Sequence, residues 1–176
     1  EEFLPPFHAV VTEAGVQAVM ASYNEVDGIP VHANRWLLQT VLREEWGFQG
    51  FVTSDGFGVP QLMLSHHTVA DTDEAARRAI EAGVDCEVPA GICFPSLLAQ
   101  AESGKVSMRA IDRAAGNILR AKIRLGLLDD PPYADPDRAE RVTNCAEHQR
   151  LALQAARQAI VLLENQEQLL PLDPAA

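Results

Sequence analysis

Positive charge is scarce in this sequence of 176 residues. It holds 14 lysines and arginines against 25 aspartates and glutamates, which gives a formal net charge of −11. Nucleic-acid backbones and anionic membrane surfaces repel such a protein, so we expect neither as a partner. The balance favours a neutral or cationic small molecule instead. No run approaches the roughly 18 apolar residues of a membrane helix, so we predict no membrane span.

Cysteine is also scarce, with three residues in the chain: Cys86, Cys93 and Cys145. Their number is odd and none is spaced C-x-x-C, so we predict neither a disulfide framework nor a zinc site. Small buried thiols are the expected alternative. The N-terminus lacks an initiating methionine and the basic and apolar stretches of a secretion signal. We therefore expect the natural start to lie upstream, and the compartment, cytoplasmic or secreted, stays open.

Three short apolar runs predict parallel strands, at residues 16–23, 50–55 and 84–88. Near-continuous apolar runs are typical of strands buried on both faces, and a spacing of about 33 residues is the size of a βαβ unit. The order strand–helix–strand–helix–strand predicts an α/β fold. Right-handed crossovers would bring the three carboxyl ends to one edge of the sheet. A complete (β/α)8 barrel needs about 250 residues, so this chain is too short for one.

Capping residues mark the helices between these strands. Asn34 precedes a helix that Gly47 ends, and Asp71 with Glu74 forms a capping-box-like pair for a helix that Gly83 ends. Later parts of the chain are predicted as helices at 94–103, 107–125 and 146–159, a proline-rich linker at 129–145, and a strand without partners at 160–163.

Asp55 is the foremost candidate for chemistry. It ends the second predicted strand and is followed by Gly56 and Gly58, which permit a ligand to approach the backbone closely. In barrels and open α/β sheets, catalytic groups stand at this carboxyl edge. Its carboxylate is ionised near neutral pH and suits a nucleophile or a general base. The alternative is an aspartate that caps the following turn.

The sequence resembles the nucleophile region of family 3 glycoside hydrolases over nearly its whole length. The motifs that carry the resemblance, in the order of the family, are SYN (22–24), GIP (28–30), LREEWGFQGFVTSD (42–55), AGVD (82–85), AKIRLGL (121–127), IVLLEN (160–165) and LLPL (169–172).

The resemblance implies the C-terminal part of a (β/α)8 TIM barrel, with about three strands as barrel strands six to eight, followed by the start of an α/β sandwich. The implied domains are 1–128 for the barrel portion, 129–145 for a linker and 146–176 for the sandwich. It also implies retaining hydrolysis of β-glucosides or β-xylosides without a cofactor, in which one carboxylate attacks the anomeric carbon and another protonates the leaving oxygen. Asp55 matches the nucleophile, and the acid/base residue is not visible.

Three neighbours of Asp55 are candidate substrate contacts. Tyr23 matches a family tyrosine near the nucleophile, and its hydroxyl would hydrogen-bond the carboxylate, unless it is a buried aromatic satisfied elsewhere. Many relatives have tryptophan after the aspartate, where this chain has Gly56, so Phe57 is expected to supply the apolar face. Met20 either lines the pocket or packs in the core. The departure at Gly56 leaves the preference between glucose and xylose open.

Other polar residues carry weaker hypotheses. Asp85 and Glu87 lie at i, i+2 and could form an acid/base pair, although the resemblance makes Asp85 a structural carboxylate. His66 and His67 are adjacent and would diverge, unlike helical metal pairs at i, i+4. The arginines at 77 and 78 are predicted to lie on a solvated helix face.

The chain is therefore expected to be a piece of a larger glycosidase that acts on a β-linked glycoside or oligosaccharide. Alone it is expected to have little or no activity, because the missing strands leave sheet edges and core side chains uncovered. One alternative is a non-catalytic domain on the same scaffold that binds a sugar or a protein. Another is a barrel aldolase or phosphate-binding isomerase, which the lack of a glycine-rich phosphate loop and of a strand-end lysine disfavours.

Overall fold

A computed structural model describes residues 2–129 and 133–173 of the chain. The chain divides into two compact units, Glu1–Pro131 and Pro132–Ala176. The strands are β1 (Ala18–Met20), β2 (Glu25–Val26), β3 (Ile29–Pro30), β4 (Phe51–Gly56) and β5 (Cys86–Val88). The α-helices are α1 (Leu4–Thr12), α2 (Gly58–Leu64), α3 (Thr72–Ala82), α4 (Leu97–Glu102), α5 (Met108–Arg124), α6 (Pro136–Val142) and α7 (Ala146–Ala159). Single turns of 3-10 helix lie at Val31–Ala33, Phe94–Ser96 and Gln166–Gln168, and Trp36–Glu45 is a π-helix.

A three-stranded parallel sheet forms the centre of the first unit. Its strand order is β1-β4-β5, with Val19 opposite Val52 and Thr53 opposite Cys86. The prediction of an α/β fold with three parallel strands is thereby confirmed, although β1 and β5 are shorter than their apolar runs. Because all three strands are parallel, their carboxyl ends meet at one edge, and β4 lies in the middle.

The predicted helix caps are present. Asn34 Oδ1 accepts a hydrogen bond from the Leu37 N–H at 3.0 Å, and the helix that follows is a π-helix rather than an α-helix. Asp71 Oδ1 accepts from the Glu74 N–H at 2.8 Å at the start of α3. Gly83 ends α3 with φ +123°, a conformation that residues with a side chain rarely adopt. These local signals lie within a few residues of one another, which is why the sequence reveals them.

Several elements escaped the sequence analysis. The turn-rich residues 24–28 contain the short strand β2, which pairs with β3 as an antiparallel hairpin. Helix α2 begins directly after Asp55-Gly56-Phe57, where the sequence does not predict a helix because Gly56 and Gly58 disfavour one. It forms because Val59 and Leu62 become completely buried against the core. The predicted helix 94–103 is a 3-10 turn followed by α4, and α1 was not predicted from the sequence.

The core of the first unit lies between the sheet and helices α2 and α3. Val52, Val59 and Val84 are fully buried there, and four alanines of α3 are buried with them. Of the three cysteines, all free thiols, Cys93 is buried as expected. Cys86 and Cys145 are only half-buried, so the expectation of buried thiols is wrong for them.

The second unit contains α6 and α7. Part of the predicted linker is the helix α6, which Asp135 caps by accepting from the Arg138 N–H at 3.0 Å. Its prolines 131 and 132 lie outside the described residues. The predicted helix 146–159 is confirmed as α7. The run 160–163 is exposed and pairs with no other described residue, so it is not a strand here.

Candidate active site

Asp55 lies near the carboxyl end of the central strand β4 and is half-buried. Its N–H donates to the Ala21 carbonyl of the neighbouring chain segment at 3.1 Å and to His32 Nε2 at 3.2 Å. Its Oδ1 accepts from the Gly56 N–H at 2.7 Å. The carboxylate is therefore oriented by one backbone donor and still reaches solvent. Such a group is available to a ligand at the sheet edge.

The turn after Asp55 joins this strand to both of its neighbours. The Phe57 N–H donates to the Val88 carbonyl at the end of β5, at 2.9 Å. Phe57 adopts φ +59°, and its ring is half exposed. Tyr23, which follows β1, donates its hydroxyl hydrogen to the Gly56 carbonyl. Two aromatic rings from different segments thus stand at the same edge as Asp55.

Tyr23 contacts both the Gly56 carbonyl and the Asp55 carboxylate. Its hydroxyl donates to the Gly56 carbonyl and is also within hydrogen-bonding reach of Asp55, the partner predicted from the sequence. Desolvation raises the pKa of the Tyr23 phenol above its ordinary value, and hydrogen bonding with Asp55 and the charge of that carboxylate raise it further. The alternative of a buried aromatic is wrong, because Tyr23 is 47% exposed. The phenol stays neutral and keeps its hydrogen for donation.

Met20 is exposed at the end of β1, so the expectation of plain core packing is wrong. It lines an apolar cavity of about 590 Å³ whose other walls come from α1, the π-helix and the residues after β1. Asp55 does not line this cavity among the described residues. The role of Met20 as a substrate contact stays a prediction.

His32 is a residue at this site that sequence reasoning missed. It belongs to the 3-10 turn after the β2–β3 hairpin and is 1% exposed. Burial lowers the pKa of its imidazole to about 4, against the attraction of the Asp55 charge and with a small contribution from His66. The ring is therefore neutral at ordinary pH. A lone histidine outside any motif offered no signal, because only the fold brings it to Asp55.

The adjacent histidines diverge, as expected. His66 Nδ1 lies 2.8 Å from Glu25 Oε1 of the hairpin, whereas His67 is exposed. In the part of the chain that the structure describes, no three His, Cys, Asp or Glu side chains are grouped so that they could hold a metal ion. Among the described helices, none is long and apolar enough to cross a membrane.

Asp85 lies at the opposite end of the sheet, just before β5. Its Oδ2 accepts from Arg43 at 2.6 Å, from the Val52 N–H at 2.9 Å and from Asn117 at 3.1 Å. Arg113 Nε lies 3.7 Å from the other oxygen. Burial raises the pKa of the Asp85 carboxyl, and the nearby charge of Arg43 opposes that shift. Hydrogen-bond donors of the protein therefore already surround this carboxylate.

Backbone donors of the protein likewise surround the Glu87 carboxylate. Its carboxylate accepts from the N–H groups of Ile92, Cys93 and Phe94, at 3.1, 3.0 and 2.8 Å, and so holds the loop after β5. The arginines at 77 and 78 form pairs with glutamates one turn away on the surface of α3, as predicted for a solvated face. Of Asp55, Asp85 and Glu87, Asp55 therefore has the carboxylate with the fewest hydrogen-bond donors from the protein.

Comparisons with known proteins place the chain in a family. The family described as "Glycosyl hydrolase family 3 N terminal domain" matches residues 1–121. The chain belongs to glycoside hydrolase family 3. A β-xylosidase of Formosa agariphila is 38% identical to this family 3 chain, over 98% of the chain and 25% of the relative. A periplasmic β-glucosidase of Salmonella typhimurium is 37% identical, over 97% of the chain and 23% of that protein.

A solved structure agrees with this family 3 assignment. A β-glucosidase of Erythrobacter marinus superposes with a TM-score of 0.85 at 42% sequence identity, covering 98% of this chain and 23% of that one. The chain therefore spans about a quarter of the length of the relatives that it matches. The two curated relatives differ in the sugar that their names give, one a xylosidase and one a glucosidase.

Proposed function

We propose that this chain is part of a retaining β-glycosidase, acting on β-glucosides or β-xylosides, in which Asp55 is the nucleophile. The observation that carries the proposal is the half-buried carboxylate of Asp55 at the carboxyl end of the central parallel strand, oriented by a single backbone donor. Family membership, with relatives named β-xylosidase and β-glucosidase, supports the reaction class.

In this reaction Asp55 attacks the anomeric carbon and forms a covalent glycosyl-enzyme, while a second carboxyl group protonates the departing oxygen. Water then attacks the same carbon and releases the sugar with retained configuration. The hydrogen bond from the Gly56 N–H orients the Asp55 carboxylate for attack. The neutral hydroxyl of Tyr23 holds the Gly56 carbonyl and so steadies the turn that carries this donor.

The aromatic substrate contacts that we propose are Tyr23 and Phe57. Both aromatic rings are about half exposed at the edge where Asp55 stands. Apolar faces of this kind suit the carbon–hydrogen face of a pyranose, because they bury apolar area while leaving its hydroxyls to polar partners. Met20 is a third proposed contact, since its side chain is exposed at the end of the neighbouring strand β1.

The domain arrangement that we propose makes the three parallel strands the sixth, seventh and eighth strands of a (β/α)8 barrel. Residues 1–128 then form the last part of the barrel, 129–145 connect, and 146–176 begin an α/β sandwich. The parallel sheet with helical crossovers supports this, as does the match to about a quarter of a β-glucosidase chain. The remaining barrel strands would supply further sugar contacts.

Trapping with a 2-fluoro glycoside tests the proposed function on the full-length protein. The fluorine slows hydrolysis of the glycosyl-enzyme, so the covalent intermediate accumulates and its attachment site can be read by peptide mapping. We expect the label on Asp55. A label on another residue would contradict the assignment, and an unlabelled protein that still binds glycosides would point to a non-catalytic sugar-binding domain.

A further inference from the structure

We infer that His32 is a positioning residue for Asp55, a buried support around which the turn of residues 55–58 is built. The inference rests on the proposed role of Asp55 as the nucleophile. His32 does not contact the carboxylate through any hydrogen bond among the described residues. It acts on the backbone that carries that carboxylate.

The ring of His32 contacts both ends of this turn. At one end its Nε2 lies 3.2 Å from the Asp55 nitrogen and accepts that N–H. At the other end, a Cβ atom added to Gly58 would lie 2.1 Å from the same Nε2. The ring therefore fills the space that a side chain at position 58 would take. Gly58 has an ordinary backbone conformation, so this close approach, rather than a positive φ, requires glycine there.

The hydrogen bond sets the protonation state that the ring must have. Nε2 can accept only with a free lone pair, so His32 must be neutral with its hydrogen on Nδ1. The titratable groups around it are Asp55 on β4, His66 after α2 and the Tyr23 ring, whose centroid is 6.4 Å away. Burial and His66 oppose protonation, whereas Asp55 favours it, and burial dominates. The acceptor is thus present near neutral pH.

The consequence lies in the rate of attack rather than in sugar binding. The N–H of Asp55 is shared between the Ala21 carbonyl and the ring, and backbone and Tyr23 hydrogen bonds hold Phe57 and Gly56 beyond it. The ring adds the packing inside the turn, so its loss would loosen the turn that carries the Gly56 donor and Phe57. A misplacement of reacting groups by about 1 Å can cost about 100-fold in rate.

Three variants of the full-length enzyme test this inference. His32→Leu removes the acceptor and the ring, His32→Gln keeps a polar acceptor at a similar reach, and His148→Gln is the matched control on an exposed face of α7. Active-site titration with a fluoro glycoside that carries a dinitrophenyl leaving group counts competent sites in each preparation. Steady-state kinetics then give kcat and KM per competent site.

We expect His32→Leu to lower kcat per competent site by about 10- to 100-fold. KM should stay within about threefold, since the sugar contacts are untouched. His32→Gln should recover most of that loss, and His148→Gln should match the parent. If His32→Leu only reduces the number of competent sites and leaves kcat per site unchanged, His32 is merely structural and the inference is wrong.

Gly58→Ala is a second route to the same test should His32→Leu fail to fold. The added methyl group overlaps the ring and displaces it while His32 is retained. We expect the same loss of kcat with little change in KM, and an unaltered kcat would overturn the inference. Trapping on the parent enzyme separates the two proposals: a label away from Asp55 refutes the proposed function, whatever the variants do.

Discussion

The two ends of the three-stranded sheet each hold an aspartate, and the protein treats them differently. At the amino end, the side chain of Asp85 is fully buried, and Arg43, Asn117 and the Val52 N–H all donate to it. At the carboxyl end, Asp55 is half-buried and accepts from one backbone N–H. Three donors thus converge on one oxygen of Asp85 while its other oxygen is buried beside Arg113, whereas the Asp55 carboxylate stays partly open to solvent.

This difference separates a carboxylate that holds the fold from one that is available for chemistry. Asp55 lies near the end of one apolar strand and Asp85 just before another, and both lie in motifs of the same family. What distinguishes them is the set of donors that the fold collects around each. Four predictions test this contrast, beginning with the largest expected effect.

Asp55→Asn should abolish hydrolysis by the full-length enzyme while leaving the fold intact. An amide cannot form the glycosyl-enzyme, and loss of a nucleophile typically costs about 10⁴-fold or more in kcat. Turnover of an aryl β-glucoside or β-xyloside measures the loss, and glycoside binding should survive. Asp112→Asn, an exposed change on α5, is the matched control and should keep full activity. Retention of hydrolysis in Asp55→Asn would remove the distinction between the two ends.

Asp85→Asn should have the opposite profile, with a large loss of stability. It leaves Arg43 and Arg113 beside a neutral group, and breaking a buried ion pair in this way costs about 3–5 kcal/mol. Denaturant unfolding of the full-length protein measures the change. Glu81→Gln, which breaks an exposed pair with Arg77, should cost less than about 1 kcal/mol. Equal costs for the two variants would show that the Asp85 cluster is not a structural anchor.

Acidification should destabilise the protein through His32. In the folded chain its pKa is about 4, below the ordinary value of 6.5, so below pH 6.5 the unfolded chain binds a proton that the folded chain refuses. Stability is therefore complete above about pH 6.5 and falls as the pH drops towards 4, by up to about 3 kcal/mol. Between about pH 7 and about pH 4, the free energy of unfolding should fall more steeply for the parent than for His32→Gln. Parallel curves would contradict the prediction.

Tyr23→Phe should give the smallest effect of the four. It removes the hydrogen bond to the Gly56 carbonyl but keeps the aromatic face. A hydrogen bond of this kind is worth about 1 kcal/mol, so kcat should fall by about fivefold to tenfold. Kinetics on the full-length enzyme measure this, with Tyr133→Phe as the matched control, since Tyr133 is 90% exposed. A loss as large as that of Asp55→Asn would make Tyr23 a participant rather than a support.

Local patterns explain how much of the fold was predictable. The caps at Asn34 and Asp71, the stop at Gly83 and helix α7 all depend on contacts within a few residues, and all were found. Helix α2 was missed because its stability comes from Val59 and Leu62, whose burial depends on α3 and on the sheet. The exact ends of β1 and β5 were missed for a related reason, since a strand extends only as far as its partner does.

The sequence by itself determined the parallel strands, most of the helices and the family, because these are written in periodicity, caps and motifs along the chain. It also singled out Asp55 as a strand-end carboxylate. Only the tertiary structure decided which carboxylates are occupied and what supports Asp55. Arg43 reaches Asp85 across 42 residues and His32 reaches Asp55 across 23. Contacts between residues so far apart in the sequence form only in the folded core, where buried polar groups need hydrogen-bond partners.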